Sequence, residues 1–494
     1  MTHQLSKSTF MRGVKCEKNL YLNKHHKELR DEISEQQQAI FSQGTRVGEL
    51  AQGLFPGGID LTPDSFYDFE ESIAKTQQAI SGGGAVIYEA AFLYDGVLAA
   101  MDILVKSENG YKAYEVKSST QVHEQYIQDI ALQAYVIEKS GLQLDDISVV
   151  HINNQYVKNG PIDIDELFTI VSVKEEIQDF KAEVPNLIVH FKNILKSNEI
   201  PEVSIGKHCN SPYQCDFMGY CWKDVPDYSV FNLTRLKVEK ALTLYDDGIV
   251  EVEDVPDAVA LSENQRLQVE AEKNKTEFID NVKIKTFLEN LTYPLYHLDF
   301  ETMGHAIPIF DGSRPYQQIV FQYSLHVQDS ANAEPKHFEF LGDTNGEDPR
   351  IKFIDQLIHD LGSVGDILVY NIAFERGKLQ DLAELFPSKA DVIHAIIDRL
   401  VDLMIPFQKK WYYSYKMKGS YSIKKVLPAL MPEFEDGYSS LTISDGGTAS
   451  LVYAQMTDGT FDGDVDAARK DLLAYCELDT LAMVKILERL YGVV

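Results

Sequence analysis

Apolar residues recur along this chain with two periods, and the switches between them mark its elements. Residues 85–93, 97–106 and 111–118 alternate or run apolar as strands do, residues 122–140 repeat their apolar positions with a helical period, and residues 147–152 return to a strand pattern. Between 226 and 290 the pattern is helical, over 233–245, 262–278 and 282–291, with acidic, proline-containing turns between. Strand patterns resume at 295–300, 319–327, 337–341 and 367–370, interleaved with helices over 350–361 and 375–385, and a helix over 466–491 closes the chain. Antiparallel strands followed by strand–helix units describe an α/β protein built on mixed sheets. The expected organisation is a first domain over residues 1–225, a helical bridge over 226–290 and a second domain over 291–494.

A length of 494 residues exceeds one ordinary core and agrees with that division. No repeat of fixed period and no low-complexity tract is present, which excludes a solenoid or a disordered scaffold. The 76 acidic residues outnumber the 46 basic ones, so binding to nucleic acid through overall charge is excluded and any phosphate-binding surface must be local. The stretch from Met1 to Leu5 lacks the apolar run of a signal peptide, and no segment is long enough to cross a bilayer; a cytoplasmic protein without a membrane partner is expected. Five cysteines are few and odd in number, which in a reducing compartment points to metal ligation rather than crosslinking. No glycine loop followed by Lys and Ser or Thr is present, so ATP-driven unwinding would have to come from a helicase partner.

In Tyr296-His297-Leu298-Asp299-Phe300-Glu301-Thr302 two acids two residues apart leave the same face of a strand in which Leu295, Leu298 and Phe300 read as buried. Paired acids beside a buried strand call for metal or protons. Tyr475 and Asp479 lie four apart on the last helix, one turn above each other, and Val369-Tyr370-Asn371-Ile372-Ala373-Phe374-Glu375 runs from an apolar strand to an acid at the start of a helix. Together these segments resemble the DEDD exonucleases of the RNase H-like superfamily, in the branch that ends in Tyr-x-x-x-Asp, over roughly residues 293–494. The resemblance implies an RNase H-like mixed sheet in which Asp299, Glu301, Glu375 and Asp479 hold two Mg²⁺ or Mn²⁺ ions, with Tyr475 orienting the attacking water. Glu375 stands where most of that superfamily has Asp. Between these motifs, residues 409–418 form the most basic and aromatic stretch of the chain, with Lys424 and Lys425 close behind. It reads either as cations and rings for phosphates and bases or as a packed aromatic edge with snorkelling lysines.

Two strands carrying Asp102 and Glu115-Val116-Lys117 are joined by a turn at Ser107-Glu108-Asn109-Gly110. With Asn109-Gly110 central, Asp102 faces Lys117; with the turn one residue earlier it faces Glu115, and either register leaves the three side chains on one face. Two carboxylates and a lysine on one face can hold an ion and stabilise developing negative charge. With Glu89 on the preceding strand and Gln133 and Tyr135 on the following helix, the set resembles the RecB-type PD-(D/E)XK nucleases, whose core is a restriction-endonuclease-like mixed sheet with helices. The resemblance implies metal ligation by Asp102 and Glu115 and catalytic roles for Glu89, Lys117, Gln133 and Tyr135. Here Gln133-Ala134-Tyr135 stands for that family's Gln-x-x-x-Tyr, and Glu49 for its upstream histidine.

Cys209, Cys215 and Cys221 are equally spaced, and Cys16 is the candidate fourth ligand ahead of the core. Four cysteines bracketing this core resemble the iron–sulfur nucleases of the AddB and CRISPR-associated RecB-like type. A [4Fe–4S] cluster is implied, with zinc as the alternative. Cys476 reads as a core residue. The domain order resembles a bacterial family of such fusions. It implies a metal-dependent nuclease with two active sites in repair, processing or defence, with DNA favoured over RNA. A nucleic-acid-binding module with one active domain, and a metal-dependent nucleotide phosphohydrolase, are the competing readings.

Overall fold

The computed structural model describes residues 4–63, 69–331 and 333–494; residues 1–3 of the amino-terminal stretch lie outside the described residues. Two compact units are present, one of Met1–Asp224 with Ala306–Tyr316 and one of Val225–His305 with Gln317–Val494. Both are mixed α/β.

The first unit holds strands β1 (Leu5–Ser6), β2 (Ile59–Asp60), β3 (Val86–Tyr94), β4 (Val97–Lys106), β5 (Tyr111–Lys117), β6 (Leu144–Ile152) and β7 (Phe168–Ser172) in one sheet. The order is β2-β3-β4-β5-β6-β7; β3, β4 and β5 run antiparallel, β6 is parallel to β5, and β1 pairs with the start of β4 at Val97 and Leu98. The parallel step from β5 to β6 needs a crossover, and the helix Glu124–Lys139 supplies it. That helix starts on an acid and ends on a lysine, which suits its dipole, and buries Ile130, Ala131, Ala134 and Ile137 on the sheet. Three helices that the apolar period did not announce, Lys7–Lys15, Glu17–His25 and Glu35–Ala51, precede β2.

In the second unit β9 (Leu295–Met303), β10 (Ile319–Gln328), β11 (Lys336–Leu341), β12 (Ile367–Val369) and β13 (Leu400–Asp402) form a sheet ordered β11-β10-β9-β12-β13. The first three are antiparallel, and β12 and β13 add in parallel. Every residue of β10 is buried, because helices cover both faces. Phe353, Ile354 and Leu379 pack on one side. On the other, the helix Val465–Tyr491 is tied down where the Gln322 amide donates to the Leu472 carbonyl at 2.7 Å.

The segment expected as a separate bridge belongs to this second unit. Its strand β8 (Glu277–Ile279) pairs with β14 (Tyr412–Ser414), and the Thr234 hydroxyl donates to the Gly419 carbonyl at 3.2 Å. The basic and aromatic stretch is mostly packed edge. Tyr412, Tyr413 and Met417 are buried, Lys410 lies 3.7 Å over the Tyr413 ring, and Lys409, Lys416 and Lys418 alone of its cations face outward. Among the described residues no helix is long and apolar enough to cross a membrane.

Candidate functional site

In the first unit three acids sit side by side on three neighbouring strands. Tyr88 pairs with Ile103 and Ala90 with Met101, which sets Glu89 against Asp102; Ile103 pairs with Tyr114, which sets Asp102 against Glu115. This is the register with the turn at Ser107–Gly110, closed by the Ser107 N–H donating to the Gly110 carbonyl at 2.9 Å. Glu89 takes a left-handed conformation at φ 53° inside its strand, which breaks the ladder there. Asp102 replaces a ladder partner by accepting from the Val116 N–H at 2.6 Å.

Two ammonium groups stand against this row. Lys117 Nζ is 2.7 Å from Glu115 and 2.8 Å from Asp129, and Lys7 Nζ is 2.7 Å from Glu115. Gln133 donates to the other oxygen of Glu115 at 3.0 Å. Lys7 and Asp129 were not singled out in the sequence; the signal for Asp129 is its place one helical turn before Gln133. Tyr135, two residues past Gln133, is carried to another helix face and meets the Tyr94 ring at 5.9 Å, away from the acids. Glu49 is exposed on the helix Glu35–Ala51.

Charge is distributed unevenly over the row. Burial works against the Glu115 carboxylate, but Lys117 and Lys7 outweigh it and hold the group down to about 2. Burial and then the Glu115 charge push Asp102 up to about 8 and Glu89 up to about 7. Glu115 is therefore compensated within the protein, whereas Glu89 and Asp102 are a pair of acids waiting for positive charge.

The four bracketing cysteines line one cavity. Cys16, at the junction of two helices, meets Cys209, Cys215 and Cys221 around a small cavity that opens to solvent and is otherwise lined by residues such as Leu22, Phe217 and Met218. All four are free thiols. Burial, with the neighbouring sulfurs adding to it, raises Cys221 to about 11. Asn19 donates to Cys215 Sγ at 3.0 Å, and the Gly206 N–H to Cys209 Sγ at 3.4 Å, so two of the sulfurs accept hydrogen bonds.

In the second unit Asp299 and Glu301 project from β9 toward the helix Val465–Tyr491, which presents Tyr475, Cys476 and Asp479. Ligand atoms of Asp299, Glu301 and Cys476 lie within 4.8 Å of one another. Glu375 comes from the first turn of the helix Ile372–Leu385, after Asn371 turns the chain at φ 98°, and Asp402 holds that turn by accepting from the Asn371 and Ile372 N–H groups. Glu375 is buried, and its Oε2 has no hydrogen-bond partner.

Burial raises all four carboxyls, and they raise one another: Asp479 acts on Asp299, Asp299 and Asp479 on Glu301, and Asp299 on Glu375. Asp479 rises least, to about 6; burial raises it, while the Tyr438 hydroxyl at 2.6 Å and Lys424 oppose the rise. Lys424 sits 4.9 Å from the Tyr475 ring centre and 5.1 Å from that of Tyr438. Tyr438 was missed in the sequence, since nothing in its neighbourhood signals a catalytic position. Gly446 approaches so closely that a Cβ there would lie 3.4 Å from Glu301.

Residues 296–422 match the sequence model of a domain of unknown function, DUF2779, a span that includes Asp299, Glu301 and Glu375 and stops short of Tyr475 and Asp479. The chain is similar to the "Uncharacterized protein MG366 homolog" of Mycoplasma pneumoniae, 30% identical over 220 residues, 41% of this chain and 33% of that protein. It is also similar to "Uncharacterized protein MG366" of Mycoplasma genitalium, 28% identical over 44% of this chain and 35% of that one. With "Uncharacterized protein UU173" of Ureaplasma parvum the identity is 26% over 65% of this chain and 50% of the other. The chain thus spans half or less of the length of these relatives.

Proposed function

We propose that the chain is a metal-dependent nuclease with two active sites, a RecB-like one in the first unit and an RNase H-like, DEDD-type exonuclease site in the second, acting on DNA in the cytoplasm. The observation that carries this reading is the set of four buried or half-buried acids drawn from three elements of the second unit, with Lys424 their principal counter-charge. Such a set is costly unless cations are bound. Asp299, Glu301, Glu375 and Asp479 would hold two divalent ions, and Glu89, Asp102 and Glu115 one or two more. Bound ions of this kind polarise phosphoryl oxygens and generate hydroxide near neutral pH.

The protein's own groups have separate tasks. Tyr475 keeps its proton, since burial and Asp479 both oppose the phenolate, and its hydroxyl can position water beside Glu301. Tyr438 orients Asp479 through its 2.6 Å hydrogen bond. Lys424 meets phosphate charge. In the first unit Lys117 keeps its proton on Nζ, because Glu115 and Asp129 outweigh the effect of burial, so it serves as a fixed positive charge rather than a base.

Digestion of end-labelled single- and double-stranded DNA and RNA with Mn²⁺ tests the reading. Lys117→Ala is expected to remove one activity and Asp299→Asn the other. Release of phosphate from free nucleotides with no attack on polymers would replace it with a phosphohydrolase. Loss of both activities in either folded single variant would indicate one composite site.

The cysteine cavity is proposed to hold a [4Fe–4S] cluster. In the described residues, three metal-ligand atoms come within 4.8 Å of one another only in two groups, neither of them made of these cysteines. A tetrahedral zinc site with Zn–S bonds of about 2.3 Å would set its sulfurs about 3.8 Å apart, whereas a cluster offers each thiolate its own iron corner. Protein purified without oxygen should be brown, and Cys16→Ser should lose as much iron as Cys215→Ser. A colourless protein with stoichiometric zinc would refute the cluster.

A further inference from the structure

On the face of the second sheet that carries the carboxylates, but apart from them, His326 of β10, His337 of β11 and Glu477 of the last helix bring one ligand atom each within 4.8 Å of the others. The two imidazoles stack with centres 4.6 Å apart, and His337 Nδ1 lies 3.8 Å from Glu477 Oε1. His326 is buried, His337 is 24% exposed and Glu477 50% exposed in the side chain, so the group opens to solvent at one end.

The hydrogen bonds behind the rings decide which nitrogens are free. The Thr480 hydroxyl donates to the Glu477 carbonyl at 3.1 Å, so its oxygen accepts from His326 Nδ1 at 2.8 Å and from the Ser324 hydroxyl at 2.6 Å. Ser324, having donated its proton, accepts from His337 Nε2 at 2.9 Å. In this arrangement His326 carries its proton on Nδ1 and His337 on Nε2, which leaves a lone pair on His326 Nε2 and one on His337 Nδ1, the latter 3.8 Å from the Glu477 carboxylate. Metal-binding histidines characteristically donate their second N–H to such an acceptor.

We propose that His326, His337 and Glu477 form a further metal site, for a transition ion of the zinc class, with water completing its coordination. Two imidazoles and one carboxylate suit Zn²⁺ rather than Mg²⁺, which prefers oxygen ligands. The site joins β10 and β11 to the helix that carries Tyr475 and Asp479, with Glu477 between those two residues. An ion here would fix the helix against the sheet. The assignment is independent of the nuclease reading, because it uses none of the four acids.

The test is Zn²⁺ titration of the full-length protein in excess Mg²⁺, which occupies the oxygen-ligand sites, with Co²⁺ as a spectroscopic probe. Wild type should bind one more equivalent of Zn²⁺ than His337→Ala. Glu477→Gln, an exposed change that leaves the core alone, should weaken that equivalent at least tenfold. The Co²⁺ taken up by wild type beyond His337→Ala should show ligand-field bands without thiolate charge-transfer absorption, which separates it from the cysteine cavity. Equal stoichiometry and affinity in wild type and both variants, or thiolate absorption from the additional ion, would overturn the proposal.

Discussion

Asp299→Asn is expected to lower the Mn²⁺-dependent exonuclease activity of the second unit by roughly 10³-fold or more, about 4 kcal/mol of transition-state stabilisation, while making the metal-free protein more stable. Both effects follow from the same repulsion. Burial and Asp479 hold the Asp299 carboxyl well above its ordinary range, so in the folded state it resists ionisation. A folded-state pKa above the unfolded value contributes stability that is complete below the unfolded pKa and disappears as pH rises through the folded one. For this cluster the loss begins above about pH 4 and is well advanced past pH 6, where Asp479 titrates. An amide at 299 has no charge to desolvate and relieves Glu301 and Glu375, which also feel Asp299. At about 1.4 kcal/mol for each pKa unit removed, the gain should be visible in thermal melts at pH 8 with EDTA. Mn²⁺ should raise the melting temperature of wild type by more than that of the variant, which keeps only the acids of the first unit intact for it. A variant with full exonuclease activity, or one no more stable than wild type in EDTA at pH 8, would count against the ion-binding role of these acids.

How much of this was legible in the sequence depended on whether each signal was local. The alternation in β9 places Asp299 and Glu301 on one face, and the four-residue step places Tyr475 and Asp479 on one helical face; both are properties of a short window. The facing of Asp102 and Glu115 was legible up to a choice of two registers, which the Ser107–Gly110 turn settles. Lys7, Tyr438 and Lys424 reach their acids from distant segments, and no periodicity announces that. Tyr135 was read from a motif rather than from geometry, and two residues on a helix do not share a face. The bridge read as separate because its helices are short and polar; its strand finds its partner at Tyr412–Ser414, more than a hundred residues on. The aromatic stretch, which read equally as a nucleic-acid surface or as a packed edge, is where that partner lies, and pairing explains the burial of Tyr412 and Tyr413.

Lys117→Met should act in the opposite direction on stability. Lys117 is the shared partner of Glu115 and Asp129 at 2.7 and 2.8 Å, and Glu115 is 2% exposed in its side chain. Removing one member of a buried ion pair leaves the other uncompensated, at a cost of about 3–5 kcal/mol. Lys7 still contacts Glu115 at 2.7 Å and should hold the loss toward the lower end. Glu115, held down to about 2, contributes stability that is present above its unfolded pKa and lost as pH falls through the folded value. The deficit of Lys117→Met relative to wild type should therefore be largest near neutral pH and shrink below pH 4, as Glu115 protonates in both unfolded chains and in the variant. Asp102 and Glu89, raised to about 8 and 7, make the reverse contribution, which is lost as pH climbs from their unfolded pKa values toward those folded ones, so metal-free wild type should be most stable near about pH 4.5 and weaken from there up to about pH 8. A divalent ion that engages those two acids should flatten that decline. Lys7→Met, which removes the half-exposed partner, should reproduce the acid-side trend at smaller amplitude. Melts of the three proteins at pH 3.5, 6 and 8.5, each with EDTA and with Mn²⁺, measure all of this. Equal stability of Lys117→Met and wild type at pH 6, or a decline from pH 6 to 8.5 that Mn²⁺ leaves unchanged, would show that the row of acids is compensated by groups other than the lysines and the ion assigned to it.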